Sequence, residues 1–327
     1  MRRLLKYFLF SFLALFLLLV LGVMAFVANY YRHFSSSSGL DFGEIKELFL
    51  AADLANPREA NLLILGLDQR EASDGLLADT LMVGFWRPKN NQAAFISLPR
   101  DLWLDGLKTK INALYYYGQK QDFDNKTNLL VLELEKILGL RPDYYLILDF
   151  ETMAQIVDLL SGVEIEVERT FDDYYFPTDD GTNGLTHLRF ESGWQTMDGK
   201  RMLEYVRSRK SDDPLEGTDE ARIKRQQKAL SAMITKISDP KFLLANPKTV
   251  GRLYRYWQEN IDTSIPTSLL INMGATYAQQ KMVLEFLSLP EELLINPPIS
   301  KHGLWVWEPK DESWEEIREW VNNKISN

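Results

Sequence analysis

The stretch from Leu203 to Gln227, LEYVRSRKSDDPLEGTDEARIKRQQ, holds the residues best suited to chemistry on an anion. The chain has a formal net charge of −9, yet residues 207–228 contain seven basic and five acidic side chains. A basic patch on an acidic protein indicates a small, strongly anionic ligand. A salt-bridged helix surface is the competing explanation, and charge count alone favours it.

One side of the helix predicted over residues 216–237 groups polar side chains. Asp219, Arg222 and Gln226 recur at helical spacing and therefore share that side, which Arg225 shares only in part. The apolar stripe on the other side would face the core, and it consists of Ile223, Leu230 and Ile237.

A pair of arginines precedes this helix. If residues 205–209 are extended, Arg207 and Arg209 point the same way, about 6.6 Å apart. Guanidinium groups bind phosphate oxygens in bidentate fashion, so two at this spacing could hold adjacent phosphates. The alternative is that these arginines pair with nearby acids, namely Asp212, Asp213, Glu216 and Asp219.

Further charged residues follow the predicted strands. Asp68 follows the run NLLILGL, Asp79 directly precedes TLMVGFW, and Arg100 follows AAFISL. Ligands of α/β sheets bind at the carboxyl ends of strands, so the two aspartates could supply oxygens to one hard cation such as Mg²⁺. Arg100 could then reach the same phosphates, although a single aspartate at such a position is more often a turn or cap residue.

Composition excludes several classes of protein. The net charge of −9 argues against nucleic acid as a partner, and the absence of cysteine excludes disulfides and thiolate chemistry. The three histidines, His33, His187 and His302, are isolated, which excludes a histidine-rich zinc site. No serine, cysteine or histidine constellation offers a protein nucleophile.

The N-terminus predicts a membrane anchor. Residues 8–28 carry no charge and would span about 32 Å as a helix, enough for a bilayer core. Arg2, Arg3 and Lys6 precede them, which predicts a cytoplasmic N-terminus and an extracytoplasmic body. A cleaved signal peptide is the alternative, but its apolar region is normally shorter. Ser35–Gly39 is typical of a flexible exit from the membrane.

The rest of the chain alternates between strand-like and helix-like segments, which predicts an α/β sandwich. The segments DYYLILDF, ETMAQIVDLLSG and VEIEVE predict a βαβ unit, whereas residues 172–193 are predicted to be loop. The predicted regions are an anchor over 1–34, a linker over 35–58, a catalytic domain over 59–237 and a mostly helical C-terminal extension over 238–327.

Five segments in order resemble successive motifs of the LytR-CpsA-Psr family. They are NLLILGLDQR, ADTLMVGFWRPKNNQAAFISLPRDLWL, KINALYYYG, DYYLILDFETMAQIVDLLSGVEIEV and LEYVRSRK with TDEARIKRQQKAL. The match runs from about residue 61 to 237. The chain departs from the family pattern at Leu77-Ala78, where Arg-Ser is usual, and at YYYGQ, which replaces a stretch of small residues. These departures concern the choice of donor more than the reaction.

The resemblance implies a fold, a reaction and a site. The fold would be an α/β/α sandwich with a central mixed sheet and a hydrophobic tunnel for a lipid tail. The enzyme would move a glycopolymer from a polyprenyl-pyrophosphate carrier to peptidoglycan through a phosphodiester link. Asp68 and Asp79 would organise Mg²⁺ (or Mn²⁺). The pyrophosphate would be held by Arg70, Arg100, Arg207, Arg209, Arg222 and Gln226. The matching motifs also contain Asp219 and Arg225, which are candidate catalytic residues together with Arg100. Asp101 is a candidate supporting carboxylate, and a salt bridge to a neighbouring arginine is its alternative role.

Two other functions stay open at this point. The chain could be a non-enzymatic polyprenyl-phosphate binder with a regulatory role, or a pyrophosphatase that uses water as acceptor. A binder needs only the arginines, whereas the aspartate pair favours an enzyme. The tunnel lining is expected among apolar residues of the βαβ region, such as Ile147, Ile156, Val157 and Leu160, each equally suited to an ordinary core. Trp305 and Trp307 could stack on sugars, although core packing is commoner.

Overall fold

The computed structural model describes residues 2–68, 77–120, 126–178 and 184–326, and side chains within these ranges except those of residues 2–14, 68 and 326. Arg70 lies outside the described residues, and so does the side chain of Asp68. Strands and helices are numbered along the chain.

The strands in the described ranges are β1 (Ala60–Asp68), β2 (Leu77–Arg87), β3 (Gln92–Ser97), β4 (Trp103–Leu104), β5 (Thr109–Lys110), β6 (Tyr144–Asp149), β7 (Val163–Val167), β8 (Phe171–Pro177), β9 (Leu185–Phe190), β10 (Gly193–Met197), β11 (Asp262–Thr263), β12 (Val283–Ser288), β13 (Leu294–Ile295) and β14 (Glu308–Pro309). The α-helices are α1 (Arg2–Ser38), α2 (Phe42–Ala52), α3 (Leu114–Lys120), α4 (Asn128–Leu138), α5 (Phe150–Leu159), α6 (Gly199–Arg207), α7 (Asp219–Ser238), α8 (Pro240–Ala245), α9 (Pro247–Asn260), α10 (Thr267–Gln280), α11 (Ile299–His302) and α12 (Glu315–Ser326).

A six-stranded mixed sheet forms the centre, in the order β11-β6-β1-β2-β3-β12. Strands β1–β2–β3 are antiparallel neighbours, whereas β6 pairs with β1, and β12 with β3, in parallel. The apolar runs are buried on both faces, as expected for strands covered by helices. Leu63 and Leu65 pack against α4 and α12, while Ile64 packs against α7. This arrangement confirms the predicted α/β/α sandwich with a central mixed sheet.

The predicted βαβ unit is wrong in its last strand. β6 and α5 form as expected, and Asp149 caps α5 by accepting from the Thr152 amide at 2.7 Å. β7, however, pairs with β10 in a separate two-stranded sheet rather than joining the central one. The segment over residues 172–193, predicted to be loop, contains the hairpin of β8 and β9.

The segment after residue 237 completes the central sheet at both edges. Asp262 and Thr263 of β11 pair with β6, and β12 pairs with β3 along its whole length. The last helix, α12, covers the face on which Leu63 and Leu65 lie, through Ile317 and Val321. Residues 238–327 were predicted to be an extension of the domain, and the structure corrects this: they are mostly helical but structurally part of the same sandwich.

The α1 helix extends further than expected. The flexible exit predicted at Ser35–Gly39 is wrong, because α1 remains helical through Ser38 and packs against α9. Within the described residues, the segment Leu15–Ser38 of α1 is long and apolar enough to cross a membrane. Large apolar side chains between residues 15 and 27 are exposed, as suits a helix whose surroundings are lipid.

Candidate active site

A pocket opens at the edge of the sheet where β1, β3 and β6 end and β2 begins. Its cavity volume is about 10 Å³, room for about one water molecule. The residues around it come from β2, from the end of β3 and its following loop, and from the first two turns of α7. They are Asp79, Thr80, Leu81, Met82, Ser97, Leu98, Arg100, Asp219, Arg222, Ile223 and Gln226. The structure therefore brings together five predicted site residues from three distant segments: Asp79, Arg100, Asp219, Arg222 and Gln226.

Asp79 reaches the pocket through an irregularity in β2. Thr80 pairs with Gly66 and Ala78 pairs with Leu67, so Asp79 has no partner in β1. A bulge of this kind re-aims a side chain and is common next to active sites. Arg100 Nη1 donates to Asp79 Oδ1 at 2.6 Å, and Arg222 Nη1 lies 3.7 Å from Asp79 Oδ2. The strand irregularity thus places one carboxylate between two guanidinium groups.

The start of α7 supplies the second carboxylate. Thr218 caps the helix by accepting from the Ala221 amide at 3.0 Å, which fixes the orientation of the first turn. Asp219 Oδ1 lies 2.9 Å from Arg222 Nη2, and the Asp219 side chain is about half exposed, at 48%. The four charges therefore alternate in sign, from Arg100 through Asp79 and Arg222 to Asp219.

Burial and charge affect the two arginines differently. Burial lowers the pKa of Arg100, but attraction and a hydrogen bond from Asp79 outweigh it, and the net pKa is raised. Burial lowers the pKa of Arg222, and the neighbouring cations Arg100 and Arg209 lower it further, against the attraction of Asp219. Both groups stay charged at neutral pH, since arginine titrates far above it.

Two donors in this pocket lack a hydrogen-bond acceptor among the described residues: the buried Nε atoms of Arg100 and Arg222. Buried polar groups are nearly always paired, so each exception needs an explanation. Such atoms also occur elsewhere among the described residues, at Trp86 and Trp103, but these two lie on the arginines that flank Asp79. Both guanidinium groups therefore keep hydrogen-bonding capacity for further anionic oxygens.

Gln226 is positioned by a contact that the sequence did not reveal. Thr80 Oγ1 donates to Gln226 Oε1 at 3.0 Å, which leaves the Gln226 amide group as a donor. Gly66 makes room for this contact, because a Cβ at residue 66 would lie 2.7 Å from the Thr80 Cβ. Neither Thr80 nor Gly66 was predicted to be a site residue. The sequence does place a glycine and a threonine close to the two predicted metal-binding aspartates, which could have indicated that the backbone and side chains approach closely there.

The predicted extended pair, Arg207 and Arg209, takes a different form. Residues 205–207 belong to α6 and are not extended, so the assumption behind the pair is wrong. Arg207 is half-buried, with its guanidinium 5.2 Å from the Phe150 ring centroid and 5.3 Å from that of Phe176. Arg209 is exposed, and its charge is near enough to lower the pKa of Arg222. Arg209 therefore belongs to the electrostatic surroundings of the pocket.

Arg225 lies apart from the pocket lining. Its Nε donates to the Tyr205 carbonyl at 3.0 Å, and Nη2 donates to the Ser208 carbonyl. Its Nη1 donates to the carbonyl and the carboxylate of Glu216, at 3.2 and 2.7 Å. Burial lowers its pKa, and Glu216 opposes that shift. These contacts hold the segment over residues 205–216 in place, so the catalytic role predicted for Arg225 has no contact that supports it.

Asp173 supports the same segment from the other side, and sequence reasoning missed it. It is 1% exposed, and its Oδ2 accepts from Ser208 Oγ at 2.7 Å and from the Arg209 and Lys210 amides at 3.2 Å. Its Oδ1 accepts from the Tyr175 amide at 3.0 Å. The residue lies in a stretch predicted to be loop, where an aspartate carries no particular signal.

Asp101 is engaged by its neighbours. Its Oδ1 accepts from Lys110 Nζ at 2.5 Å, and its Oδ2 lies 3.5 Å from Arg100 Nε. It therefore touches the pocket only through Arg100, consistent with the salt bridge weighed as its alternative role.

The pocket offers some, but not all, of the oxygen ligands that a hard cation needs. Among the described residues no group of three or more histidines and acids is arranged to hold a metal. Magnesium, however, is usually held by one or two carboxylates, with substrate phosphates and water completing its shell. Asp79 offers one buried carboxylate, and the backbone of Asp68 ends β1 at the same edge, opposite Leu77. The donor chemistry suits a cation that arrives with a phosphate ligand.

The chain is similar to known proteins over most of its length. The chain is 25% identical to the polyisoprenyl-teichoic acid–peptidoglycan teichoic acid transferase TagU of Bacillus mycoides, over 81% of the chain and 79% of that protein. It is 28% identical to the regulatory protein MsrR of Staphylococcus aureus, over 74% of the chain and 69% of that protein.

Solved structures share the fold. The crystal structure of Bacillus subtilis TagV matches with a TM-score of 0.61 and 22% identity, covering 83% of this chain and 98% of that one. TagT bound to LIIa-WTA matches with a TM-score of 0.59 and 20% identity, covering 84% and 93%. A model of the family described as LytR_cpsA_psr matches residues 35–323. The chain therefore belongs to the LytR-CpsA-Psr family.

Proposed function

We propose that this chain is a membrane-anchored phosphotransferase that moves a glycopolymer from a polyprenyl-pyrophosphate carrier to peptidoglycan. The observation that carries the proposal is the pair beside Asp79, the half-buried Arg100 and the buried Arg222, each with a buried Nε atom that lacks a described hydrogen-bond acceptor. Guanidinium groups in this state are suited to the oxygens of a pyrophosphate. Relatives named as transferases of polyisoprenyl-linked teichoic acid support the substrate class.

The reaction needs positioning and charge rather than a protein nucleophile. A hydroxyl oxygen of peptidoglycan attacks the phosphorus that carries the glycopolymer, and the bond from that phosphorus to the bridging oxygen breaks. The products are a phosphodiester between glycan and peptidoglycan, and a polyprenyl monophosphate that leaves with the electron pair. The hydroxyl loses its proton to a base in the site or to the leaving phosphate. Preorganised cations that stabilise the developing charge supply most of the catalysis in such reactions.

Each described residue has its own proposed role in binding or positioning the substrate. Arg100 and Arg222 bind the pyrophosphate oxygens, and the Gln226 amide donates a further hydrogen bond from the same wall. Arg209 adds positive charge close enough to act on Arg222, and Arg207 lies against Phe150 and Phe176. Asp219, half exposed beside Arg222, is placed to orient that arginine and is the nearest described carboxylate open to an incoming hydroxyl. Arg70 stays a predicted pyrophosphate ligand.

Magnesium, or manganese, is part of the proposal. Asp79 and Asp68 would hold it, and the cation would neutralise phosphate charge and screen Asp79 from the substrate. Arg100 and Arg222 already bracket the Asp79 carboxylate, so they would keep it oriented toward a cation arriving with the donor.

The lipid tail is assigned to the apolar space between the sheet and α7. The residues around this space lie on the same face of the sheet as Met82, which also lines the pocket. They are Ile64, Met82, Phe95, Leu146, Leu230, Ile234, Leu284 and Phe286, of which the last five are only half-buried. The lining expected from the sequence lies elsewhere: Ile147 packs on the opposite face, and Ile156, Val157 and Leu160 belong to the core around α5. In β6 the proposed lining therefore shifts by one residue, from Ile147 to Leu146, which moves it to the opposite face of the sheet.

The body is proposed to lie outside the cytoplasm. Arg2, Arg3 and Lys6 precede the apolar part of α1, and basic residues next to a span favour the cytoplasmic side. A glycan carrier and peptidoglycan would then meet the pocket on the outer face of the membrane.

A transfer assay tests the proposal. The full chain in lipid vesicles would receive a polyprenyl-pyrophosphate oligosaccharide, peptidoglycan fragments and Mg²⁺, and products would be identified by mass spectrometry. We expect a phosphodiester-linked glycan on the fragments, lost in Asp79→Asn and retained in the control Asp105→Asn, an exposed residue paired with Lys108.

The same assay separates the alternatives. Release of polyprenyl monophosphate with free phosphorylated glycan would replace the transferase with a pyrophosphatase. Binding of the donor without turnover, across donors and acceptors tried, would favour a binding protein, as the name of the relative MsrR would fit.

A further inference from the structure

The last ten residues of α1 are docked on the body rather than free. Tyr30 Oη donates to the Leu243 carbonyl at 3.1 Å. Further along, α1 and α9 approach so closely that a Cβ at Gly251 would lie 2.7 Å from the Phe34 carbonyl. Beyond that point, a Cβ at Gly39 would lie 3.4 Å from the Arg255 guanidinium. Because the contacts follow the same order along both segments, α8 and the start of α9 lie beside the membrane-proximal part of α1.

The depth of α8 follows from these contacts. The apolar stretch of α1 ends at Ala28, and Tyr30 lies only about 3 Å further along the helix axis. Phe26, inside that stretch, lines an open cleft of about 400 Å³ together with Tyr30 and residues 244–249. Residues 240–249 are therefore level with the end of the apolar span, where hydrocarbon meets lipid headgroups.

The chemistry of this surface suits a bilayer with negative charge. Leu244 is 57% exposed at the tip of α8, and Lys241 and Lys248 are exposed on either side of it. Residues 239–257 contain four basic side chains and one acidic one, in a chain whose net charge is −9. An exposed leucine flanked by lysines is the pattern of segments that lie in the interface of anionic membranes.

We propose that α8 and the first turn of α9 form a membrane-contacting surface that rests on the anionic headgroups of the leaflet from which α1 emerges. Leu244 enters the interface and the two lysines bind lipid phosphates. Together with the α1–α9 contact, this surface holds the body at one height over the bilayer. The proposal rests on α1 crossing a membrane and not on the chemistry assigned to the pocket.

The absence of cysteine allows a direct measurement with single-cysteine variants of the full chain. Leu244→Cys and the matched control Leu185→Cys, at a site 59% exposed on the β8–β9 hairpin, would each carry a fluorescent label in vesicles of phosphatidylglycerol and phosphatidylcholine. We expect the label at 244 to be several-fold less quenched by aqueous iodide, and more quenched by a headgroup nitroxide, than the label at 185. Equal iodide quenching at the two sites would overturn the proposal.

The charge component has its own test. Lys241→Glu with Lys248→Glu, in the Leu244→Cys background, should raise iodide quenching in vesicles with phosphatidylglycerol but not in vesicles of phosphatidylcholine alone. No change in the anionic vesicles would refute the role of the lysines. Transfer assayed on the same samples keeps the two proposals apart, because exposure of residue 244 with transfer intact would remove only the membrane surface.

Discussion

Two arginines on α7, three residues apart, illustrate two different uses of a buried guanidinium. Arg222 is 4% exposed, its ion pairs among the described residues are with the carboxylates of Asp79 and Asp219, and its Nε lacks a described acceptor. Arg225 is 2% exposed and donates through all three nitrogens, to the carbonyls of Tyr205 and Ser208 and to Glu216. Arg222 therefore lies at an open pocket with a hydrogen-bond donor that has no described acceptor, whereas all three nitrogens of Arg225 donate to groups inside the protein.

The difference shows which property separates a binding arginine from a structural one. Burial lowers the pKa of both, so neither exposure nor pKa distinguishes them. The hydrogen-bond inventory does, because a guanidinium bound to backbone carbonyls cannot turn toward a ligand without leaving those carbonyls unpaired. The comparison predicts that removing Arg225 costs stability and that removing Arg222 costs activity.

The largest effect is expected for Arg225→Ala. The substitution leaves the Glu216 carboxylate, only 16% exposed, without its cation and leaves the carbonyls of residues 205 and 208 without donors. Breaking a buried ion pair in this way destabilises by about 3–5 kcal/mol. Urea unfolding followed by circular dichroism measures the loss. Arg222→Ala is the control, with a loss below about 1 kcal/mol. Equal losses for the two variants would contradict the distinction.

Arg222→Ala is expected to reduce glycan transfer while leaving the fold intact. Losing one preorganised donor to the developing charge lowers the rate by about 10²–10³-fold. Stability should change little, because like-charge repulsion with Arg100 and Arg209 disappears together with the attraction of Asp219.

Initial rates of glycan transfer at saturating donor measure the effect of Arg222→Ala. Arg222→Lys keeps the positive charge but lacks the planar guanidinium, so its rate should fall between those of Arg222→Ala and the unsubstituted chain. Full activity of Arg222→Ala would remove this arginine from the site.

Much of the architecture follows from local pattern. Continuous apolar runs predicted β1, β2 and β3 and the helices on both faces, because such runs must be covered on both sides. Helical spacing placed Asp219, Arg222 and Gln226 on one side of α7, and the structure brings all three to the pocket. Their roles with substrate stay predictions.

The sequence predictions fail where residues far apart in the chain determine the local structure. The edge strand β11 is two residues long, and no local pattern marks it. Asp172 and Asp173 disfavour a strand, but β8 forms because side-chain partners satisfy both carboxylates, Arg189 for Asp172 and the buried Ser208 for Asp173. In β6 every residue is partly or fully buried, so alternation could not tell the face of Leu146 from that of Ile147. Arg207 continues α6 because a cation is favoured in the last turn of a helix.

A smaller effect is expected for Asp173→Asn. The amide keeps one oxygen but loses the charge that binds Ser208 Oγ and two amides, so the protein should lose about 1–3 kcal/mol of stability. Because the backbone of Arg209 shifts with this contact, KM for the donor should rise more than kcat falls. Asp172→Asn is the matched control: its carboxylate pairs with His187 and Arg189 at the hairpin surface. A loss of stability with KM unchanged would make Asp173 a purely structural residue.

The smallest effect, absent at neutral pH, concerns Tyr205, whose ring lies under Arg225. Burial raises the Tyr205 pKa to about 12, above the ordinary value of 10.0. The folded state therefore holds this proton more tightly than the unfolded state. Its contribution to stability is complete below pH 10 and is lost as the pH rises from 10 to 12, by up to about 1.4 kcal/mol per pH unit. Tyr205→Phe should remove that part of the decline in unfolding free energy, whereas Tyr174→Phe, at a site 51% exposed, should not. Identical alkaline profiles for Tyr205→Phe and the unsubstituted chain would show that the hydroxyl ionises freely and that the segment held by Arg225 opens to solvent before the protein unfolds.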